Sequence, residues 1–452
     1  MALSIASRGR VVLYSGLIRA LTVSADNEKV LKLGPLWFQP GITGWNFATL
    51  AYGAFSTISL ISFISFIQPY LLTEILQMPA SEQGTFTGFL HSLQEALTIL
   101  LTGFIGAWSD RTGRRKLFAV GFGIMALGYL VMPLSASATQ LIIFRCLFAI
   151  GAAMVPIMML AATVDYIQER SRGRWTGINA IFTGAGALFM ATVLAKTPDM
   201  FLTAGANAAD AGRYAYWIGA GMCLLAATLL WLGLSKQKPA TPERSEVWKQ
   251  LYAGIRAGLD NPKLMLGYFA AFIGRGDLII ITAFFSLWIT QEGTDAGIGT
   301  GEALGRAGMM YGIIQLAAMA WAPLMGVIID RVNRVTGLAI GLSIAAVGYF
   351  WMGQVEDPFG SGLLPAAILL GIGEISVIVS ANALMGQEAT PSIRGAIVGV
   401  FGLMGGLGII AATAAGGVVF DQIGRTAPFT MMAVLNASLM LVALVVRNRI
   451  SN

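Results

Sequence analysis

Charge is what this chain has least of: Asp, Glu, Lys and Arg make up 12% of its 452 residues. Soluble domains carry about 25%, so this sequence cannot clothe a water-facing surface and is read as mostly lipid-facing. Cysteine is nearly absent. Cys146 and Cys223 fall in different apolar runs, which excludes a disulfide framework and a thiolate metal site. His91 is the single histidine; no metal and no cofactor is expected. There is no nucleotide-binding loop and no nucleophile–base arrangement, so an enzyme is not expected. No low-complexity tract interrupts the chain. The net charge of +6 does not point to nucleic acid, because the basic residues sit in short loops beside apolar runs, where they set topology.

Long apolar runs are what the chain has in abundance, with 56% hydrophobic residues and 55 glycines. A hydrocarbon core of about 30 Å needs about 20 apolar residues per helix. Six such runs lie at 47–72, 86–108, 117–134, 141–164, 173–194 and 214–234. Six more lie at 264–288, 307–329, 337–352, 363–384, 395–418 and 428–446. The expected architecture is an all-α integral membrane protein of twelve transmembrane helices in two six-helix bundles. It divides into an N-terminal segment 1–46, a first bundle 47–234, a linker 235–263, a second bundle 264–446 and a tail 447–452. The linker holds Pro239 and Pro242 and an amphipathic helix expected around 247–259. Lys196, Arg213, Arg306 and Arg425 fall on one side, Arg145 and Arg275 inside spans, and the other basic residues on the opposite side. Basic loops stay cytoplasmic, which puts both termini inside and suggests a bacterial inner membrane. At the N-terminus, Arg8 and Arg10 precede an apolar run at 11–18 that Arg19 cuts short. An interfacial or cytosolic segment is expected rather than a signal peptide, with 34–38 at headgroup level.

Two patterns recur half a chain apart. GAWSDRTGRRK, from Gly106 to Lys116, returns as GVIIDRVNR, from Gly326 to Arg334. Arg172-Gly173 with Gly177 returns as Arg394-Gly395 with Gly399. Recurrence of a charged hinge between spans signals internal duplication, the construction of transporters whose halves rock about a central site. Gly113 supplies a left-handed turn residue and Asn333 takes its place in the repeat. With twelve spans in a 6+6 order, a central linker, and the Gly106, Asp110, Arg111, Gly113, Arg114 loop, the sequence resembles the major facilitator superfamily after residue 47. The resemblance implies a cytosolic conformational latch, with Asp165 as a partner of Arg114 and with Asp330, Arg334 and Glu388 as its second-half counterpart.

Ionisable residues inside spans cost about 2.5–3.5 kcal/mol on insertion scales and need a cavity or a partner. His91, Glu95, Arg145, Arg275, Asp277 and Glu374 are of this kind and do not repeat between halves. Glu95, one helical turn from His91, is a candidate proton relay; Glu374 and Asp277 are further proton-coupling candidates. Arg145 and Arg275 are candidates for an anionic substrate group, because arginine offers a fixed fork of donors. Gln68, Asn179, Gln315 and Asn382 would add polar contacts, and Trp288, Trp321, Phe284 and Phe285 an apolar wall. Internal pairs, Arg145 with Glu95 and Arg275 with Glu374, are the competing expectation. The resemblance places the first, fourth, seventh and tenth helices around the cavity. It likens Arg145 and Gly151 to a fourth-helix motif associated with proton coupling or anion binding. The fifth span lacks the Gly-Pro pair frequent in antiporters of this superfamily.

The expected function is secondary active transport of a small organic solute by a monomer working by alternating access in a lipid bilayer. Proton coupling is expected. Efflux of amphipathic compounds is slightly favoured over symport or uniport of an organic anion or carboxylate. A non-transporting membrane receptor or enzyme is the distant alternative.

Overall fold

The protein is described from a computed structural model at residues 20–25, 28–236, 247–390 and 393–451. The run 11–18 and linker residues 237–246, with both prolines, lie outside the described residues. In the first half, α1 is Gly44–Tyr70, extended by one wide turn at Leu71–Ile75. It is followed by α2 (Ala80–Thr112), α3 (Arg114–Val131), α4 (Ala138–Tyr166), α5 (Glu169–Thr192), the short α6 (Thr197–Thr203) and α7 (Ala208–Gly233). Between the halves comes α8 (Val247–Asp260). The second half contains α9 (Pro262–Asp295), α10 (Thr300–Arg331), α11 (Arg334–Gly353), α12 (Leu363–Glu388), α13 (Arg394–Gln422) and α14 (Ala427–Ser451). Twelve of the described helices, all but α6 and α8, are long and apolar enough to cross a membrane.

Local chemistry sets where the helices begin. Thr43 and Asn46 form a reciprocal capping box at α1, with Thr43 N–H donating to Asn46 Oδ1 at 2.9 Å. Ser137 caps α4, Asn207 caps α7, and Asn261 caps α9 just before Pro262 at the first helical position. Several helices outrun their apolar stretches. α9 has 34 residues and α2 has 33, because polar residues continue each helix beyond its apolar run. Gly113 does take a left-handed φ of 93°. Its repeat partner does not: Asn333 has φ −59° and caps α11 instead, its Oδ1 accepting from Val335 N–H at 2.9 Å. The second turn is therefore made by a side-chain cap rather than by left-handed backbone.

The two halves are similar bundles. α3 packs on α4 and α7, and α11 correspondingly on α12 and α14; the halves meet along α2–α13 and α5–α10. Small residues permit close approach. Gly186 faces the Phe55 carbonyl in the first half, as Gly408 faces the Phe272 carbonyl in the second.

The segment before α1 departs from expectation. A small antiparallel sheet, β1 (Ala20–Ala25), β2 (Glu28–Leu33) and β3 (Leu36–Trp37), leads into a strap docked on the α4–α5 loop. Gln39 N–H donates to the Tyr166 carbonyl at 2.9 Å, Gln168 N–H to the Trp37 carbonyl at 3.0 Å, and Trp37 N–H to Ser171 Oγ at 3.0 Å. Leu36 and Phe38 are buried, and Arg170 lies 3.7 Å over the Trp37 ring. Leu36 and Phe38, expected at headgroup level, thus bury against protein, because an adjacent loop offers this stretch backbone hydrogen-bond partners.

Candidate functional site

Three groups of polar side chains stand out. The first is the charged turn between α2 and α3. Arg114 Nη1 lies 2.6 Å from Asp110 Oδ1, Arg114 Nε lies 3.1 Å from Asp165 Oδ2, and Ser109 Oγ is a further partner of the guanidinium. Ser109 in turn donates to the Gly106 carbonyl at 2.8 Å. Asp110, Arg114 and Asp165 are therefore one cluster joining three helices, while Arg111 is exposed beside it. The repeat is simpler. Arg334 Nη1 bonds Asp330 Oδ1 at 2.9 Å and the Ile329 carbonyl at 2.7 Å. Glu388 does not join it, contrary to expectation. It pairs with Lys263 Nζ at 3.5 Å and accepts from Asn261 Nδ2 at 2.9 Å, because the end of α12 packs over the start of α9.

The second group lies where the halves face each other. Among the described residues, hydrogen bonds join the halves on the side away from the basic loops. Asp421 accepts from Gly84 and Thr85 N–H at 2.9 and 2.6 Å; Gln291 Nε2 donates to Gln83 Oε1 at 3.2 Å and to the Ala80 carbonyl at 3.0 Å; Thr300 bonds Glu74. Ser92 and Thr413 hydroxyls meet at 2.8 Å. Toward the basic loops, the ion pairs of the described residues stay within one half. Near the middle of α9 the Arg275 side chain is exposed, although it lies deep in a span. It lies against α13, where a Cβ on Gly405 would be 2.8 Å from Arg275 Cγ, and one on Gly406 would be 2.9 Å from Glu95 Oε1. Arg275 acts electrostatically on Glu95 across the interface. Gln315 and Glu95 are half-buried, and Asn382 is exposed, with Nδ2 turned to the Ile378 carbonyl at 2.8 Å. Asn179 is half-buried.

The third group is buried inside the bundles. In the first half Arg145 is 1% exposed, with its guanidinium 5.6 Å from the Phe148 ring and with Tyr129 and Tyr216 around it. Its Nε and Nη2 have no acceptor among the described residues. His91 is buried within electrostatic reach of Arg145 and its Nε2 is unpartnered. Gln68 is buried and donates to Thr87 Oγ1 at 2.9 Å. In the second half Asp277 is wholly buried and accepts from Asn436 Nδ2 at 2.9 and 3.1 Å, with Glu374 and the Tyr349 hydroxyl close by.

Several expected pairings are not made. Arg145 has no ion pair with Glu95, and Arg275 none with Glu374. Arg145 points among the tyrosines of its own bundle, while Arg275 crosses toward Glu95 and leaves Glu374 with Asp277. His91 and Glu95 share a helix but serve different surroundings, one turned to Arg145 and the other to α13. Of the expected apolar wall, Trp288, Phe284 and Phe285 are core, packed with Phe420 and Phe429. Only Trp321 is half-buried, its Nε1 donating to Ser376 Oγ at 2.9 Å. Tyr129, Tyr216, Tyr349, Asn436 and Asp421 escaped sequence reasoning. Tyrosines read as packing, but Asn436 is a polar residue inside an apolar run and was legible by that signal.

Comparison with known proteins agrees with this architecture. The Major Facilitator Superfamily model matches residues 48–413 and 303–451. Magnetosome protein MamZ of Paramagnetospirillum magneticum (strain ATCC 700264 / AMB-1) is 29% identical over 384 residues; the match covers 81% of this chain and 57% of MamZ. Magnetosome protein MamH of the same organism is 26% identical, covering 82% of this chain and 85% of MamH. The chain thus spans less than two thirds of MamZ. The nucleoside transporter NupG superposes with a TM-score of 0.70 at 14% identity, over 89% of this chain and 99% of NupG. With twelve spans, a duplicated charged turn and a family match along most of its length, this multi-pass membrane protein belongs to the major facilitator superfamily of transporters.

Proposed function

We propose that the protein is a proton-coupled secondary transporter of a small organic solute bearing an anionic group, described in a state open toward the cytosol. The basic loops are assigned to the cytosol by the charge rule. The observation that carries this reading is the exposed Arg275, mid-span and facing Glu95 across the interface of the halves. A guanidinium in the middle of a membrane is held there at a cost, and its fork suits a carboxylate or phosphate. Glu95 provides the coupling. A proton on Glu95 removes the charge that faces Arg275 and leaves the arginine to the solute; loss of the proton restores that charge and releases the solute. Alternating access follows when the outer hydrogen bonds between the halves break and the basic side closes.

Efflux of amphipathic compounds is the second reading. It is less well supported, because Trp288, Phe284 and Phe285 are sealed in the core and leave Trp321 as the half-buried aromatic of the expected wall.

The test is solute flux into proteoliposomes under an imposed proton gradient. Glu95→Gln is expected to abolish accumulation while sparing solute exchange at zero gradient. Unchanged pH dependence of accumulation in that variant would overturn the coupling role.

A further inference from the structure

We propose that Asp277, Glu374, Asn436 and Tyr349 form a site for a hard monovalent cation, sodium, inside the second half. This site is separate from Arg275 and Glu95.

The duplication supplies the first argument. Gly186 and Gly408 face the carbonyls of Phe55 and Phe272, so these phenylalanines are equivalent. Five residues beyond each come Leu60 and Asp277. Likewise Gly151 faces Met125, as Gly373 faces Ala345, and the next residues are Ala152 and Glu374. Tyr129 in α3 is matched by Tyr349 in α11. In the first half this place is satisfied without a carboxylate: Tyr129 donates its hydroxyl to the Leu60 carbonyl at 2.5 Å. The fold therefore does not require acids there. The second half has put two carboxyl groups where the first has a leucine and an alanine.

The second argument is the state of the oxygens. Asn436 spends Nδ2 on Asp277, while its own Oδ1 has no partner. Glu374 Oε2 is also unpartnered, and the Tyr349 hydroxyl is turned to Asp277. All four residues are at most 4% exposed. Buried polar atoms are normally satisfied, so two orphaned oxygens beside a buried carboxylate and a tyrosine hydroxyl point to a ligand they share. Among the described residues no basic side chain faces it: Arg275, two residues from Asp277, is turned to Glu95, and the other groups facing Glu374 are Tyr311 and Tyr349. A proton satisfies one oxygen; a cation satisfies several at once. The donors are all oxygen, which suits hard cations. They are fewer than the six to eight that calcium takes, and magnesium prefers to keep several waters of its own. One sodium ion with one proton on the pair brings two carboxylates to neutrality.

The test is equilibrium binding of radioactive sodium to the purified full-length protein in choline buffer, with thermal melting measured in parallel. Saturable binding and a sodium-dependent rise in Tm are expected. Both should vanish in the variant that restores the first-half residues, Asp277→Leu with Glu374→Ala, which is expected to fold because the first half folds with them. Tyr349→Phe is expected to weaken binding by about tenfold, the order of one lost polar contact, and Glu95→Gln to leave it unchanged. Absence of saturable sodium binding in the wild-type protein overturns the proposal, leaving protons as the occupant. Displacement of sodium by micromolar calcium or magnesium overturns the monovalent assignment.

Discussion

A guanidinium buried without an acceptor is the strangest single residue in this protein. Arg145 leaves Nε and Nη2 unbonded among tyrosine rings. An uncompensated buried charge destabilises, and replacing it by an apolar group of similar length relieves the cost. Arg145→Met is therefore expected to raise Tm, corresponding to about 1–3 kcal/mol, while transport falls. A Tm drop accompanied by normal flux would show instead that the residue is a structural tie. Arg275 differs because it is exposed. Arg275→Lys keeps the charge but loses the fork, and is expected to raise KM for the solute roughly tenfold, the scale of one charge-assisted hydrogen bond. An unchanged KM would refute bidentate recognition.

Elements differ in how much their charged turns can do. Asp110 and Asp165 share Arg114, whose side chain is 18% exposed, whereas Asp330 in the repeat is 74% exposed. Exposed ion pairs contribute about 0–1 kcal/mol, and partly buried clusters more. Asp110→Asn is therefore expected to slow turnover several-fold without altering equilibrium solute affinity, and Asp330→Asn to slow it less. Stopped-flow measurement of turnover beside binding measurements checks this ranking; equal effects would mean exposure does not set latch strength. Helix contacts carry similar weight. Gly88 on α2 faces the Thr413 carbonyl on α13 so closely that any Cβ must displace it. Gly88→Val is expected to wedge the halves apart on that side, read as increased labelling of a cysteine introduced in the outer cavity.

For the whole molecule, the relevant quantity is the balance between two arrangements of the halves. On the side away from the basic loops Asp421 of the second half accepts from two backbone N–H groups of the first. Hydrogen bonds to a charged group contribute about 1.5–3 kcal/mol, and 1.4 kcal/mol is a factor of ten in an equilibrium. Asp421→Asn is thus expected to shift the population toward the outward-open arrangement by about tenfold, measurable by distance distributions between spin labels on α2 and α13. No shift would place the closure energy in the apolar packing of α2 against α13.

Composition and periodicity alone determined that the chain spans a membrane twelve times, that it is duplicated, and which charges are anomalous. These follow from single-residue costs: every span must be apolar, so each ionisable residue within one stands out wherever it points. The turn at Gly106–Arg114 was legible because its Asp-Arg pattern recurs half a chain later and because Asp110 and Arg114, four residues apart, flank one tight turn, a relation fixed by local geometry. Tertiary structure alone decided partners. Whether Arg275 meets Glu374 or Glu95, and whether Glu388 joins Arg334 or Lys263, depends on the rotation of each helix about its axis and on which half it faces. That rotation is set by side-chain packing among helices distant in sequence. The docking of residues 36–39 on the α4–α5 loop was hidden for the same reason: its hydrogen bonds are between backbone groups, which carry no residue-type signal.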